Sequence, residues 1–204
     1  MVIKMANWVS VWSNGSEAQN WTNAQRQQNV NIIASYLNRN GWTYNAIAGL
    51  VGNMQAESYL NPAQWELGRT IESYTENNIG FGLVQWTPWW KYADWAGSDW
   101  RTNFDKQLGR LMFELEMGEG YQWIATPDYP MSFEDFTHSR ADPDTLAMVF
   151  FKNYERGIGG EAARQQNAIN WYDYLMQNPP GPVPVNSSNF NIMLYLKPNW
   201  KRRK

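Results

Sequence analysis

Residues 43–62 read TYNAIAGLVGNMQAESYLNP. Thr43 is a helix-capping residue type, and Ile47, Leu50, Val51 and Met54 follow it at helical spacing. This spacing predicts a helix with those apolar residues on its inner face. The pair Asn61-Pro62 disfavours helical backbone before the proline, so the helix should end near Glu57 and Ser58. Glu57 therefore falls at the C-terminal end of an apolar helix, just before a polar turn. A carboxyl placed there faces the negative end of the helix dipole, which favours the neutral form. Two readings stand at this point: a surface or capping residue, or an acid that keeps its proton with help from burial beside aromatics.

Working outward, Thr22 can cap a preceding helix that runs to about Asn40. Its apolar face is Val30, Ile33, Tyr36 and Leu37, and Asn40-Gly41 stops it. Residues 63–78 are polar and lack a period, which predicts a loop or weak hairpin. Residues 80–86, GFGLVQW, read as a short strand, and residues 88–96 as a short helix. Phe104, Leu108, Leu111, Met112 and Leu115 mark another helix. Asp142-Pro143 opens one that runs to about Phe150. A final helix over about residues 161–176 should bury Ala168, Trp171, Tyr172 and Leu175. Pro179, Pro180, Gly181, Pro182 and Pro184 then make an extended linker. The expected division is a domain over residues 1–178, followed by a linker and short tail over 179–204. The tail carries an apolar patch, Ile192 to Leu196, and a basic end, Lys201 to Lys204.

Composition closes several routes. The chain has no cysteine and one histidine, His138, which lies in a polar stretch and reads as a surface residue. Thiol chemistry is excluded and a two-histidine zinc site is impossible. No metal or cofactor is expected. Carboxylate chemistry stays open, with 19 Asp and Glu residues, and breaking a glycosidic bond needs little more. The net charge of −2 offers no case for nucleic acid. Met1 to Ser10 lacks the apolar core of a signal peptide, and no apolar stretch is long enough for a membrane span. A protein of this kind acting on cell walls would need another means of delivery. The 13 tryptophans read first as core packing, with stacking on sugar faces as the functional alternative.

The segment GFGLVQW begins like a dinucleotide fingerprint, but the match fails at Gln85 and no helix follows directly. Gly80 and Gly82 read instead as places where a backbone approaches a ligand closely, with Gln85 offering an amide to a hydroxyl. An ordinary turn and strand is the plainer reading. GNMQAES followed by NP, and then GFGLVQW, together resemble the phage tail lysozyme family. The resemblance extends over roughly residues 20–178, including LNRNGWTYNAIAGLVGNMQAESYLNP, GFGLVQWTPWWKYADWA and LAMVFFKNYER.

The resemblance implies an α+β, mainly α, lysozyme-like fold with a small β-hairpin. It implies a hydrolase of peptidoglycan, cutting between N-acetylmuramic acid and N-acetylglucosamine, with lytic transglycosylation as the variant outcome. It matches the family's catalytic glutamate to Glu57 and lays the sugar along Gly80, Gly82, Gln85 and Trp86. It points to a virion tail location with other phage tail proteins as partners. The alternatives are a free endolysin, held in the host cytoplasm before release, and a non-catalytic glycan-binding virion protein. For a second carboxylate, Glu66, Glu72 and Glu76 lie between the two motifs. Glu66 is the candidate general base or electrostatic stabiliser, although nothing periodic in its segment holds it rigidly. In Tyr154-Glu155-Arg156, either Glu155 pairs with an arginine to brace the cleft or Tyr154 touches sugar. After Arg156 this chain has Gly157-Ile158-Gly159-Gly160 where relatives have a proline-containing stretch, so the local loop should differ.

Overall fold

In the computed structural model, which describes residues 6–67, 78–118 and 120–180, the helices begin where the capping residues place them. Thr22 opens α1 (Asn23–Arg39) with a reciprocal cap: its hydroxyl accepts from the Gln25 N–H at 3.3 Å, and the Gln25 side chain accepts from the Thr22 N–H at 2.9 Å. Thr43 accepts from the Ala46 N–H at 3.1 Å and opens α2 (Tyr44–Ser58). Tyr59 and Leu60 then turn the chain out of the helix with positive φ. Both boundaries agree with the sequence expectation.

The packing of α2 goes further than its apolar stripe suggested. Every residue from Ala46 to Met54 is buried, so α2 is a central helix covered on all sides. One side carries Ile47, Leu50, Val51 and Met54. The other carries Ala48, Gly49, Gly52 and Asn53, and there α6 (Pro143–Phe150) and α7 (Glu161–Gln177) press against it. A methyl group on Gly52 would meet the Arg164 carbonyl oxygen at 2.7 Å and the Ala168 nitrogen at 2.8 Å. Buried Asn53 donates to the Ala147 carbonyl at 2.9 Å, tying α2 to α6 through its amide nitrogen.

The remaining helices complete the shell. They are α3 (Trp90–Ala96), α4 (Asp105–Met117) and α5 (Phe133–His138). The sequence reading did not anticipate α5; Ser132 caps it by accepting from the Asp135 N–H at 3.0 Å. At Phe150, α6 passes without a break into a wider π-turn, Phe151–Glu155, which Arg156 ends in the left-handed conformation. Trp42, Trp65, Trp86, Trp123 and Trp171 are buried, and Trp65, Phe81 and Trp100 form one aromatic cluster. No helix among the described residues is long and apolar enough to cross a membrane.

The expected strand at residues 80–86 takes another form. Phe81 and Trp86 exchange both backbone hydrogen bonds, at 3.2 and 3.0 Å, so the chain doubles back between them. Positive φ at Gly82 (84°) and Gln85 (50°) makes this tight loop and precludes an extended strand. Among the described residues, β-pairing consists of isolated bridges such as Trp65 with Phe81, and a regular hairpin is not seen. Glu72 and Glu76, the linker beyond Pro180 and the tail patch lie outside the described residues.

The contact at Gly52 generates a stability test. Alanine there gains about 1 kcal/mol of helix propensity. The added methyl, however, meets backbone atoms that cannot rotate away, and overpacking of this kind costs about 1–3 kcal/mol. Gly52→Ala should therefore lower the urea unfolding midpoint. A raised midpoint would show that α2 and α7 separate at no cost.

Candidate active site

The end of α2, the start of α7, the π-turn and the 80–86 loop converge on an open cleft of about 630 Å³. Glu57, in the last turn of α2, lines it with a quarter of its side-chain surface exposed. One turn into α7, buried Arg164 reaches across and donates to Glu57 Oε1. The same guanidinium nitrogen lies 3.5 Å from Glu155 Oε2, at the end of the π-turn. One arginine thus stands between two carboxylates, the three side chains drawn from three elements of the fold.

The local sequence explains why the arginine can lie there. Its guanidinium sits 4.1 Å above the centre of the Phe151 ring, where the ring's negative face favours a cation. Phe151 in turn packs on Gly157, where a methyl group would come within 2.3 Å of the ring. The loop Gly157-Ile158-Gly159-Gly160, the point of departure noted in the sequence, is therefore the part that leaves room for Phe151 and Arg164. Glu155 is the more enclosed carboxylate, its side chain 8% exposed. Burial pushes its carboxyl well above the usual carboxylate range, and the charge of Glu57 pushes the same way, against Arg164. Glu155 Oε1 and Arg164 Nε have no hydrogen-bond partner among the described residues.

Glu66 lies in an irregular segment, as read from the sequence, yet its position is determined. Its N–H donates to the Gly80 carbonyl at 2.9 Å, and the Gly80 N–H donates to Glu66 Oε2 at 3.1 Å. The carboxylate therefore enters the cleft on a clamp made with the 80–86 loop, an arrangement that only tertiary pairing supplies.

The structure brings Glu57, Glu66, Gly80, Gln85, Trp86 and Tyr154 to the same cleft. Gly82 stands apart from the lining and packs against Gln107, whose side-chain oxygen would lie 2.7 Å from an added methyl. The Gln85 amide nitrogen is committed to the Gln64 and Gly82 carbonyls, at 3.1 and 2.9 Å, so it braces the loop. Trp86 and Tyr154 are almost fully buried and form the cleft's floor. The Trp86 indole donates to the Tyr154 hydroxyl at 3.0 Å, and that hydroxyl donates to Glu114 Oε2. Arg110 pairs with the other Glu114 oxygen at 2.7 Å. Burial raises the Glu114 carboxyl, opposed chiefly by Arg110, and burial followed by the Glu114 charge raises Tyr154 well above its ordinary value.

Arg164, Arg110 and Glu114 were missed from sequence. Arg164 precedes Ala168, Trp171 and Leu175 by four, seven and eleven positions, on the buried stripe of α7. A charge on an apolar stripe is the signal that could have found it. Among the described residues, no group of His, Cys, Asp and Glu could hold a metal ion.

Glu155 carries a stability signature. Its raised folded value means that the folded protein holds a proton the unfolded chain releases. Its contribution therefore becomes unfavourable as pH rises above the ordinary 4.5, until its elevated folded value is passed. Glu155→Gln should gain stability over wild type as pH climbs through that window, and the gain should shrink below it. Paired thermal melts from acid to mildly alkaline pH will read this; a gain independent of pH would refute it.

Comparison with known proteins places the chain in a family. Residues 28–175 match the model for the phage tail lysozyme family, and that span contains Glu57, Glu66, Glu155 and Arg164. Over 152 residues, 72% of this chain, it is 40% identical to Morphogenesis protein 1 of Bacillus phage B103. The chain spans 39% of that relative's length. With a mainly helical fold, a glutamate at the end of its central helix and a match across most of its length, the chain belongs to the phage tail lysozyme family.

Proposed function

We propose that this protein cuts the glycan strands of bacterial peptidoglycan between N-acetylmuramic acid and N-acetylglucosamine, with Glu57 as the proton donor. The observation that carries this reading is Glu57 at the mouth of an open cleft, backed by a buried arginine. In the reaction, Glu57 transfers its proton to the bridging glycosidic oxygen. The bond from the sugar C1 to that oxygen breaks, the other sugar leaves with the protonated oxygen, and positive charge develops on the ring that holds C1. Glu57 is then an anion, and Arg164 is its counterion, so the product state of the proton transfer is stabilised where it forms. Water adds at C1 to give a reducing sugar, or the muramic acid's own hydroxyl closes on C1 to give an anhydro end.

Glu66 suits the electrostatic or base role in the second half. Its clamp with Gly80 fixes one oxygen by a hydrogen bond. The carboxylate so held lines the cleft with Glu57, where it can meet the developing positive charge or the incoming water. The family assignment and the phage relative support action at the cell wall as part of a virion, at its tail. A match to a Bacillus phage morphogenesis protein favours that setting over a free endolysin.

A turbidity assay on purified bacterial walls separates these roles. Glu57→Gln keeps the shape and an acceptor for Arg164 but loses the charge and the transferable proton, so lysis should fall by about 10²–10⁴-fold. The unfolding midpoint should be lowered, because the buried guanidinium loses a charged partner. Activity within a few-fold of wild type would remove Glu57 as the acid. Glu66→Gln keeps an acceptor for the Gly80 N–H and should lose about 10²-fold, the low end of the range for a base. A loss below threefold would assign the second step to water or substrate alone.

A further inference from the structure

The cleft that holds the carboxylates is also lined by cations, Lys91 and Arg156. Lys91 lies in the first turn of α3, half-buried. Its ammonium makes no hydrogen bond or ion pair among the described residues. The other described lysines are engaged: Lys106 with Asp99, and Lys152 with Glu161 at 3.0 Å. Arg156 follows Glu155 directly and is exposed, with one nitrogen donating to the Gln122 carbonyl at 2.6 Å. That bond leaves the rest of its guanidinium fork open to a ligand.

Arg164 has Glu57 and Glu155, and Arg110 has Glu114. Lys91 has no carboxylate of its own. Desolvation pushes its ammonium down from the ordinary value, and Arg156 adds to this more than Glu114 offsets it. Holding a half-buried ammonium unpaired beside another cation is unfavourable, and an anion arriving between them would relieve it.

We infer that Lys91 and Arg156 form an anion subsite for the carboxylate borne by a muramyl unit of the strand. This rests on the glycan-cutting reading and deepens it. N-acetylglucosamine is neutral. Muramic acid alone carries an acidic substituent, either a free lactyl carboxylate or, when that is amide-linked, the carboxylates of a peptide stem. A cationic subsite in the cleft therefore tells the alternating sugars apart. It sets the register of the strand, so that the bond offered to Glu57 is the one whose C1 belongs to a muramyl residue and not to N-acetylglucosamine. Phosphate on wall polymers is the competing anion, and the test separates it.

Binding is measured by calorimetry on the Glu57→Gln chain, which leaves the ligands intact. The probes are chitotetraose, a muramyl tetrasaccharide with free lactyl carboxylates, the same sugar bearing peptide stems, and a glycerol phosphate oligomer. We expect a preference of about tenfold or more for a muramyl ligand over chitotetraose, a gap of about 1.4 kcal/mol. Lys91→Gln should erase that preference without weakening chitotetraose, and Lys91→Arg should retain most of it. Whichever muramyl probe loses affinity identifies the lactyl group or the stem as the anion. Equal losses for charged and neutral sugars, no loss for either, or a Lys91-dependent affinity confined to glycerol phosphate would each overturn the inference. Wild-type protein that cuts walls while showing no muramyl preference would sink the subsite alone. Wild-type protein that neither cuts walls nor binds any of the sugars would sink the functional reading, and the subsite with it.

Discussion

The site depends on one side chain, Arg164, held between Glu57 and Glu155 where α2 and α7 cross. The crossing is close because Gly52 has no side chain, so the backbone carrying Arg164 lies directly against α2. A buried guanidinium is costly to desolvate, and an arrangement of this kind persists only when its charge is met on several sides. Here Glu57, Glu155 and the face of Phe151 meet it. Glu57 comes from α2, and Phe151 and Glu155 from the π-turn, so the arginine also reports that these stretches have come together correctly.

The π-turn makes this possible. An α-helical continuation of α6 would present Tyr154 and Glu155 about one residue out of phase, and the wider turn re-aims them. Tyr154 is thereby directed to Glu114 and Trp86 beneath the cleft, while Glu155 is directed to Arg164. The two buried networks share that one turn. The lower network fixes the floor against α4, and the upper one fixes Glu57. The proton-donor role proposed for Glu57 would need such support, since a donor has to be held to within a fraction of an ångström.

Much of this was legible in the sequence wherever local chemistry decides. Thr22 and Thr43 cap helices, Asn61-Pro62 ends α2, and Glu57 falls where the spacing placed it. The local rules failed where the decision is tertiary. GFGLVQW has the apolar content of a strand, but positive φ at Gly82 and Gln85 folds it into a loop braced by Gln85 itself. Glu66 has no periodic element around it, yet Gly80 holds it from across the chain. Gln85 and Trp86 line the cleft where the sequence placed them, and they also support its wall and floor. Arg164 was readable as a charge on the buried stripe of α7, but its partners lie 107 and 9 residues away, and no local pattern names them.

The central claim is that these carboxylates act on the glycan and leave the peptide stems intact. Mass spectrometry of purified peptidoglycan digested by the protein addresses it directly. The account predicts disaccharide-peptide products with intact stems, ending in either a reducing muramic acid or its anhydro form. Free stem peptides released from uncut glycan strands, or products ending in reducing N-acetylglucosamine, would contradict it.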